Sequence, residues 1–99
     1  MYGVRFSDHA VQRWTERIQP VFSAFHAVAM VRESRLATKA ERRRCARECK
    51  SFARKSTKAE RNGCRVNDQH GIMFFLANEV TAHGVPVLVV KTVLKVETT

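Results

Sequence analysis

The chain is short of acids, of glycine and proline, and of any long apolar run. Against 18 Lys and Arg it has only nine Asp and Glu, for a formal net charge of +9 at pH 7. An excess of that size draws in polyanions and speeds their capture, so nucleic acid is the first partner class to weigh. The apolar runs fall far short of the roughly 20 residues that span a bilayer as a helix, which excludes a helical membrane protein. Met1-Tyr2-Gly3-Val4-Arg5 shows no apolar signal region, and three cysteines cannot all pair with one another. The expectation is a cytoplasmic protein with reduced thiols. Glycine and proline are absent from Thr38 to Gln69 except at Gly63, so nothing interrupts a helix between Thr38 and Asn62. At 44% hydrophobic residues the composition excludes a disordered chain. Ninety-nine residues make one domain, with a single core burying roughly 65% of the chain's surface.

The positive charge is concentrated. Arg32 to Arg65 holds 13 of the Lys and Arg and only four acids, Glu33, Glu41, Glu48 and Glu60, so it carries the whole +9 and the remainder is neutral. Within it Lys39, Arg42, Arg43, Arg44, Arg47, Lys50, Arg54, Lys55, Lys58 and Arg61 are the candidate nucleic-acid contacts. Thr38-Lys39-Ala40-Glu41 fits a capping box. Ala, Arg, Lys and Glu then dominate up to a left-handed stop at Asn62-Gly63. One continuous helix there would be about 36 Å long; alternatively Ser56 or Thr57 caps a second short one. Its apolar stripe is thin: Cys45, Cys49 and Phe52, flanked by Ala46 and Ala53. That stripe suits a helix lying on a core with most of its circumference left to cations. Three adjacent arginines, Arg42 to Arg44, repel one another unless an anion is present. The plainer alternative is a solvated helix resting on a small domain. The cysteine spacing is not that of a zinc finger or ribbon, so neither metal nor cofactor is expected, and the cysteines read as small hydrophobes.

Elsewhere the periodicity predicts an α+β domain in the order β-α-α-α-β-β-β, its helices packed on one face of an antiparallel sheet. Tyr2–Phe6 is the first strand. Ser7 or Asp8 caps a helix ending near Gln19, before Pro20, with Val11, Trp14 and Ile18 on one face and His9, Arg13 and Glu16 on the other. Val21–Ser34 is apolar on most sides and reads as the best-buried helix, joined to the basic helix by Leu36 and Ala37. Cys64–Asn67 is a short strand, 68–71 a turn, Ile72–Ala77 a central strand and Asn78–Gly84 a loop. Val85–Val96 is the longest strand, its even positions from Leu88 to Val96 facing the core.

Chemistry has one clear candidate locus. His9-x-x-x-Arg13-x-x-Glu16-Arg17 brings an imidazole, guanidinium groups and a carboxylate into helical register. An imidazole can exchange protons near neutrality and arginine can hold phosphate, a combination suited to ribonuclease chemistry. Equally, Glu16 can simply pair with Gln12 or Arg13 on a solvated face. Lys91 and Lys95 could neutralise phosphates or protect an edge strand, and His70 and His83 read as surface residues of turns.

Phe6-Ser7-Asp8-His9-Ala10-Val11-Gln12-Arg13-Trp14-Thr15-Glu16-Arg17 resembles the opening of a group of small bacterial and phage proteins similar to the BrnT and RelE/ParE toxins. The ending Val87-Leu88-Val89-Val90-Lys91-Thr92-Val93-Leu94 resembles that group's last strand. The resemblance implies a RelE-like fold over 1–99, here with a basic helical insertion at about 38–62. It marks His9, Arg13, Arg17 and Thr92 as the characteristic positions; with Lys91, the first three make a candidate catalytic set. It implies RNA or the ribosome as partner and metal-independent cleavage of RNA as the activity. The alternative is a non-catalytic, phage-type inhibitor that uses the basic helix on DNA or on an acidic protein, whether an antitoxin or a host target.

Overall fold

The computed structural model describes residues 3–48 and 63–96, with the side chains of 45–48 not included. The elements are β1 (Gly3–Phe6), α1 (Asp8–Arg17), α2 (Ala24–Arg32), β2 (Arg35–Leu36), α3 (Lys39–Glu48), β3 (Arg65–Asn67), β4 (Ile72–Val80) and β5 (Pro86–Lys95). They form an α+β domain around one five-stranded sheet of order β1-β5-β4-β3-β2.

Ser7 sets the start of α1. Its Oγ accepts from the Ala10 amide at 3.1 Å and donates to the Lys91 carbonyl at 3.3 Å, while its own amide bonds Val90 O at 3.0 Å. The hydroxyl thus caps a helix and fixes it against β5 at the same time. Ala10 and Trp14 are then fully buried, with Ile18 packed beside them. Trp14 meets Phe6 and Phe22 edge-on, at centroid distances of 6.1 and 5.6 Å. Ile72, Phe74 and Leu76 of β4 and Val90 and Val93 of β5 complete this main core, under α1 and α2. A second cluster, Ala37, Cys64, Val66, Met73 and Phe75, lies on the alternate positions of the strands, with Leu94 and Val96 against it.

Several expectations are corrected. The sheet is mixed rather than antiparallel: β1 pairs β5 in parallel, Gly3 opposite Val87 through Phe6 opposite Val90. Short turns force β3–β4 and β4–β5 to be antiparallel, but β1 reaches β5 through the whole chain, so no turn dictates its direction. A further strand, β2, pairs antiparallel with β3 where only a linker was expected. Two exposed residues offer no alternation to read. The α2 helix begins at Ala24, three residues later than expected, with Ser23 in extended conformation as its N-cap. Nor is it the best buried: only Ala27 and Val31 are buried, while Phe25 is 82% exposed. The β4 strand continues to Val80, shortening the following loop to 81–85.

The last strand also departs from simple alternation. Phe75 pairs Thr92 and Leu76 pairs Val90, leaving Lys91 as the extra residue of a bulge. Leu88 and Val90 join the main core before the bulge and Val93 after it, whereas Leu94 and Val96 join the second cluster. One inserted residue reverses which parity faces which side.

Candidate nucleic-acid interface

The basic helix opens as its sequence dictates. The Thr38 amide donates to Glu41 Oε1 at 2.8 Å, and the Glu41 amide donates to Thr38 Oγ1 at 3.2 Å, a closed capping box. Arg35, at the end of the sheet, reinforces it. Its Nη1 and Nη2 donate to Glu41 at 2.8 and 3.0 Å, and its Nε and Nη2 donate to Asp68 at 2.7 and 2.8 Å. These bonds push the Arg35 guanidinium above its ordinary range. Glu41 is held down at about 2, first by Arg35 and then by the Thr38 amide, and Asp68 is lowered by Arg35 as well.

The consequence is electrostatic. Glu41 is the acid of the first turn of α3, yet its charge is matched by Arg35 on the neighbouring strand. Lys39, Arg43 and Arg44 are exposed, and among the described residues none of them forms an ion pair. Arg42 is half-buried and donates from Nη1 to the Ala37 carbonyl at 2.9 Å, so it braces the helix start. Arg47 belongs to α3, with its side chain outside the described residues. Lys50, Arg54, Lys55, Lys58 and Arg61 lie outside the described residues altogether, as does the question of one helix or two. The stripe of Cys45, Cys49 and Phe52 also falls outside the described side chains, whereas Cys64 is buried in the second cluster.

The candidate catalytic residues do not converge to the same degree. His9 and Arg13 share the outer face of α1, with Arg13 Nε donating to His9 Nε2 at 3.4 Å. Arg13 also donates from Nη1 to Glu16 Oε2 at 2.7 Å, while Gln12 donates to Glu16 Oε1 at 3.2 Å. Those are the pairings of a solvated helix face, and the Arg13 bond holds the Glu16 carboxyl below its ordinary range. Arg17, itself exposed, donates from Nη1 to the Val93 carbonyl at 3.1 Å. Lys91 sits in the bulge with its ammonium 2.6 Å from Glu79 Oε2, and Arg5 stands 3.8 Å from the other oxygen. The bonds from Lys91 lower the Glu79 carboxyl, Arg5 adding a smaller effect. By strand alternation Glu79 shares the side of Met73 and Phe75, opposite the side covered by α1. Lys91 is thereby separated from His9 by the sheet. Thr92 is buried on that same far side, opposite Phe75.

The two charged regions are also apart. The α1 helix packs on β5, and α3 leaves from β2 at the far edge. Three strand spacings intervene, about 14 Å at ~4.8 Å each. Sequence reasoning missed Arg35, the residue that organises the start of the basic helix. Its nearness to the capping box was visible; its bond to Asp68, 33 residues away, had no local signal.

Comparison with protein-family models, curated proteins and solved structures finds no match to this chain. Among the described residues no helix is long and apolar enough to cross a membrane.

Proposed function

We propose that this protein binds RNA in the cytoplasm, gripping the phosphate backbone with the basic helix α3 and the cationic segment it opens. The observation that carries the reading is the row Lys39, Arg43 and Arg44, exposed and without an ion-pair partner among the described residues, while Arg35 takes Glu41. Like charges crowded on one turn repel, and a polyphosphate strand relieves the repulsion. Binding rather than cleavage is favoured because Arg13, Arg17 and Lys91 are each engaged by Glu16, Val93 O and Glu79. A RelE-like ribonuclease is the second reading, supported by the His9–Arg13 contact on α1.

The test is affinity for single-stranded RNA as a function of salt, with duplex DNA and ribosomes as parallel arms. Replacing Lys39, Arg43 and Arg44 together by Gln removes three phosphate contacts and lowers the log–log salt slope by about 2 on a single strand. An unchanged slope means that α3 is not the contact surface. Tighter binding to DNA than to RNA overturns the choice of RNA.

A further inference from the structure

A helix expected in the core instead turns an apolar face to solvent. On α2, Ala27 and Val31 point into the main core, while Ala24, Phe25, Val28 and Ala29 line an open groove that ends at Arg32 and Glu33. Phe25 is 82% exposed, and Val21, just before the helix, is 72% exposed. Scattered exposed hydrophobes are ordinary; a contiguous set along one helix face marks an interaction surface.

We infer that this face is a self-association surface, on which a second copy of the chain docks with its own α2 antiparallel, about a two-fold axis beside Val28 and Ala29. Charge selects the occupant. The groove holds one cation and one anion, Arg32 and Glu33, so it is neutral on a molecule of net charge +9. Two such molecules repel through most approaches, but not through a neutral apolar face. A strongly acidic partner would instead be drawn to the basic segment, and would lose at Glu33 what it gained at Arg32.

Antiparallel pairing also places the ends well. With the axis beside Val28 and Ala29, Arg32 of each copy lies over the other copy's Phe25, a cation–π arrangement. Glu33 then approaches the start of the other copy's α2, the positive end of its dipole. Ala24 and Ala29 are small enough for the helices to pack at the usual 8–10 Å. The contact is isologous and closes as a dimer. Nine residues give a helix only about 13 Å long, so the interface is smaller than the ~800 Å² per partner of a standard complex. Association is therefore weak and dependent on concentration.

Sedimentation equilibrium over a roughly 100-fold concentration range tests this, in moderate salt and without RNA. The wild-type mass is expected to rise from monomer towards dimer, and Phe25→Glu to remain monomeric with an unchanged circular dichroism spectrum. As a second measurement, in a Cys45→Ser, Cys49→Ser background, Ala29→Cys beside the axis should give a disulfide-linked dimer on mild oxidation, with Thr81→Cys and the background itself giving none. A wild type that stays monomeric throughout overturns the inference, even if the patch then captures some other macromolecule. A dimer that survives Phe25→Glu, or equal cross-linking of Ala29→Cys and Thr81→Cys, overturns it as well. None of these outcomes depends on RNA binding.

Discussion

Arg35 grips Glu41 through two bonds, Nη1 to Oε1 at 2.8 Å and Nη2 to Oε2 at 3.0 Å. The same guanidinium grips Asp68 through Nε and Nη2. One cation therefore joins the edge strand, the first turn of the basic helix and the turn after β3. Arg35 and Asp68 are exposed and Glu41 is only half-buried, so the clamp is modest in energy and weakened by salt. Its larger effect is on where charge remains: Glu41 and Asp68 are satisfied by Arg35, and Lys39, Arg43 and Arg44 have no ion-pair partner among the described residues.

The clamp should respond to acid. Glu41 titrates at about 2 in the folded chain and Asp68 is also lowered, whereas free carboxyls titrate near 4. A depressed folded value contributes stability that is present above the unfolded value and lost as pH falls through the folded one. The contribution is thus intact at neutral pH and disappears between about pH 4.5 and 2. Carboxyl NMR should find Glu41 near 2 in the wild type, and shifted upward in Arg35→Gln, though still below the free value because the Thr38 amide keeps its bond. An ordinary Glu41 titration in the wild type would mean that the clamp does not form in solution.

A second expectation concerns the turn between β3 and β4. Gly71 has φ of +64°, and a Cβ there would lie 2.8 Å from the Val96 carbonyl oxygen. Its own carbonyl accepts from the Val96 amide at 2.7 Å, so the backbone cannot easily move away. Gly71→Ala should cost about 1–3 kcal/mol, measured by urea unfolding. Gly84 has φ of +77° but open space around it, and Gly84→Ala should cost less. Equal costs would remove the Val96 contact from the explanation.

The features legible in the sequence were those decided within a few residues. Thr38 and Glu41 form the capping box that their spacing announced, and Ser7 caps α1 as expected. Trp14 is buried on the apolar stripe of α1. What could not be read was decided by distant pairing. Alternation along β5 gave no warning that Lys91 forms a bulge, because the bulge exists only relative to Phe75 and Leu76 on the partner strand. The parallel direction of β1 and the two-residue β2 are of the same kind. For α2 the error was one of composition: Val, Ala, Phe and Met on most sides suggested burial, and the sheet covers just one of those sides. The candidate site divides the same way. The cations of α3 were plain from composition, while the separation of Lys91 from His9 needed the sheet.

Trp14 and Phe25 make that lesson measurable. Trp14 is fully buried between Phe6 and Phe22, and Phe25 is exposed. Trp14→Ala should cost about 3–5 kcal/mol. Phe25→Ala should stay within about 0.5 kcal/mol when measured at dilution, where self-association is absent. A large loss at Phe25 in the monomer would return α2 to the core.

The last expectation separates binder from nuclease. A general base for RNA cleavage must reach the 2′-hydroxyl while cations hold the developing charge. On α1 the imidazole of His9 has Arg13 beside it, but Arg13 is already bonded to Glu16, and Lys91 is bonded to Glu79 across the sheet. The described part of α3, whose exposed cations have no ion-pair partner among the described residues, follows β2, three strands away from β5. The purified protein should therefore leave RNA intact, alone and on ribosomes, and His9→Ala should bind RNA within about twofold of the wild type, well under 1 kcal/mol. Lys39, Arg43 and Arg44 changed to Gln should weaken binding without any change at α1. If instead RNA is cut, and His9→Ala lowers the rate by about 100-fold or more, the usual scale of acid–base catalysis, then α1 is an active site. RNA binding by α3 would then serve to deliver the strand to it.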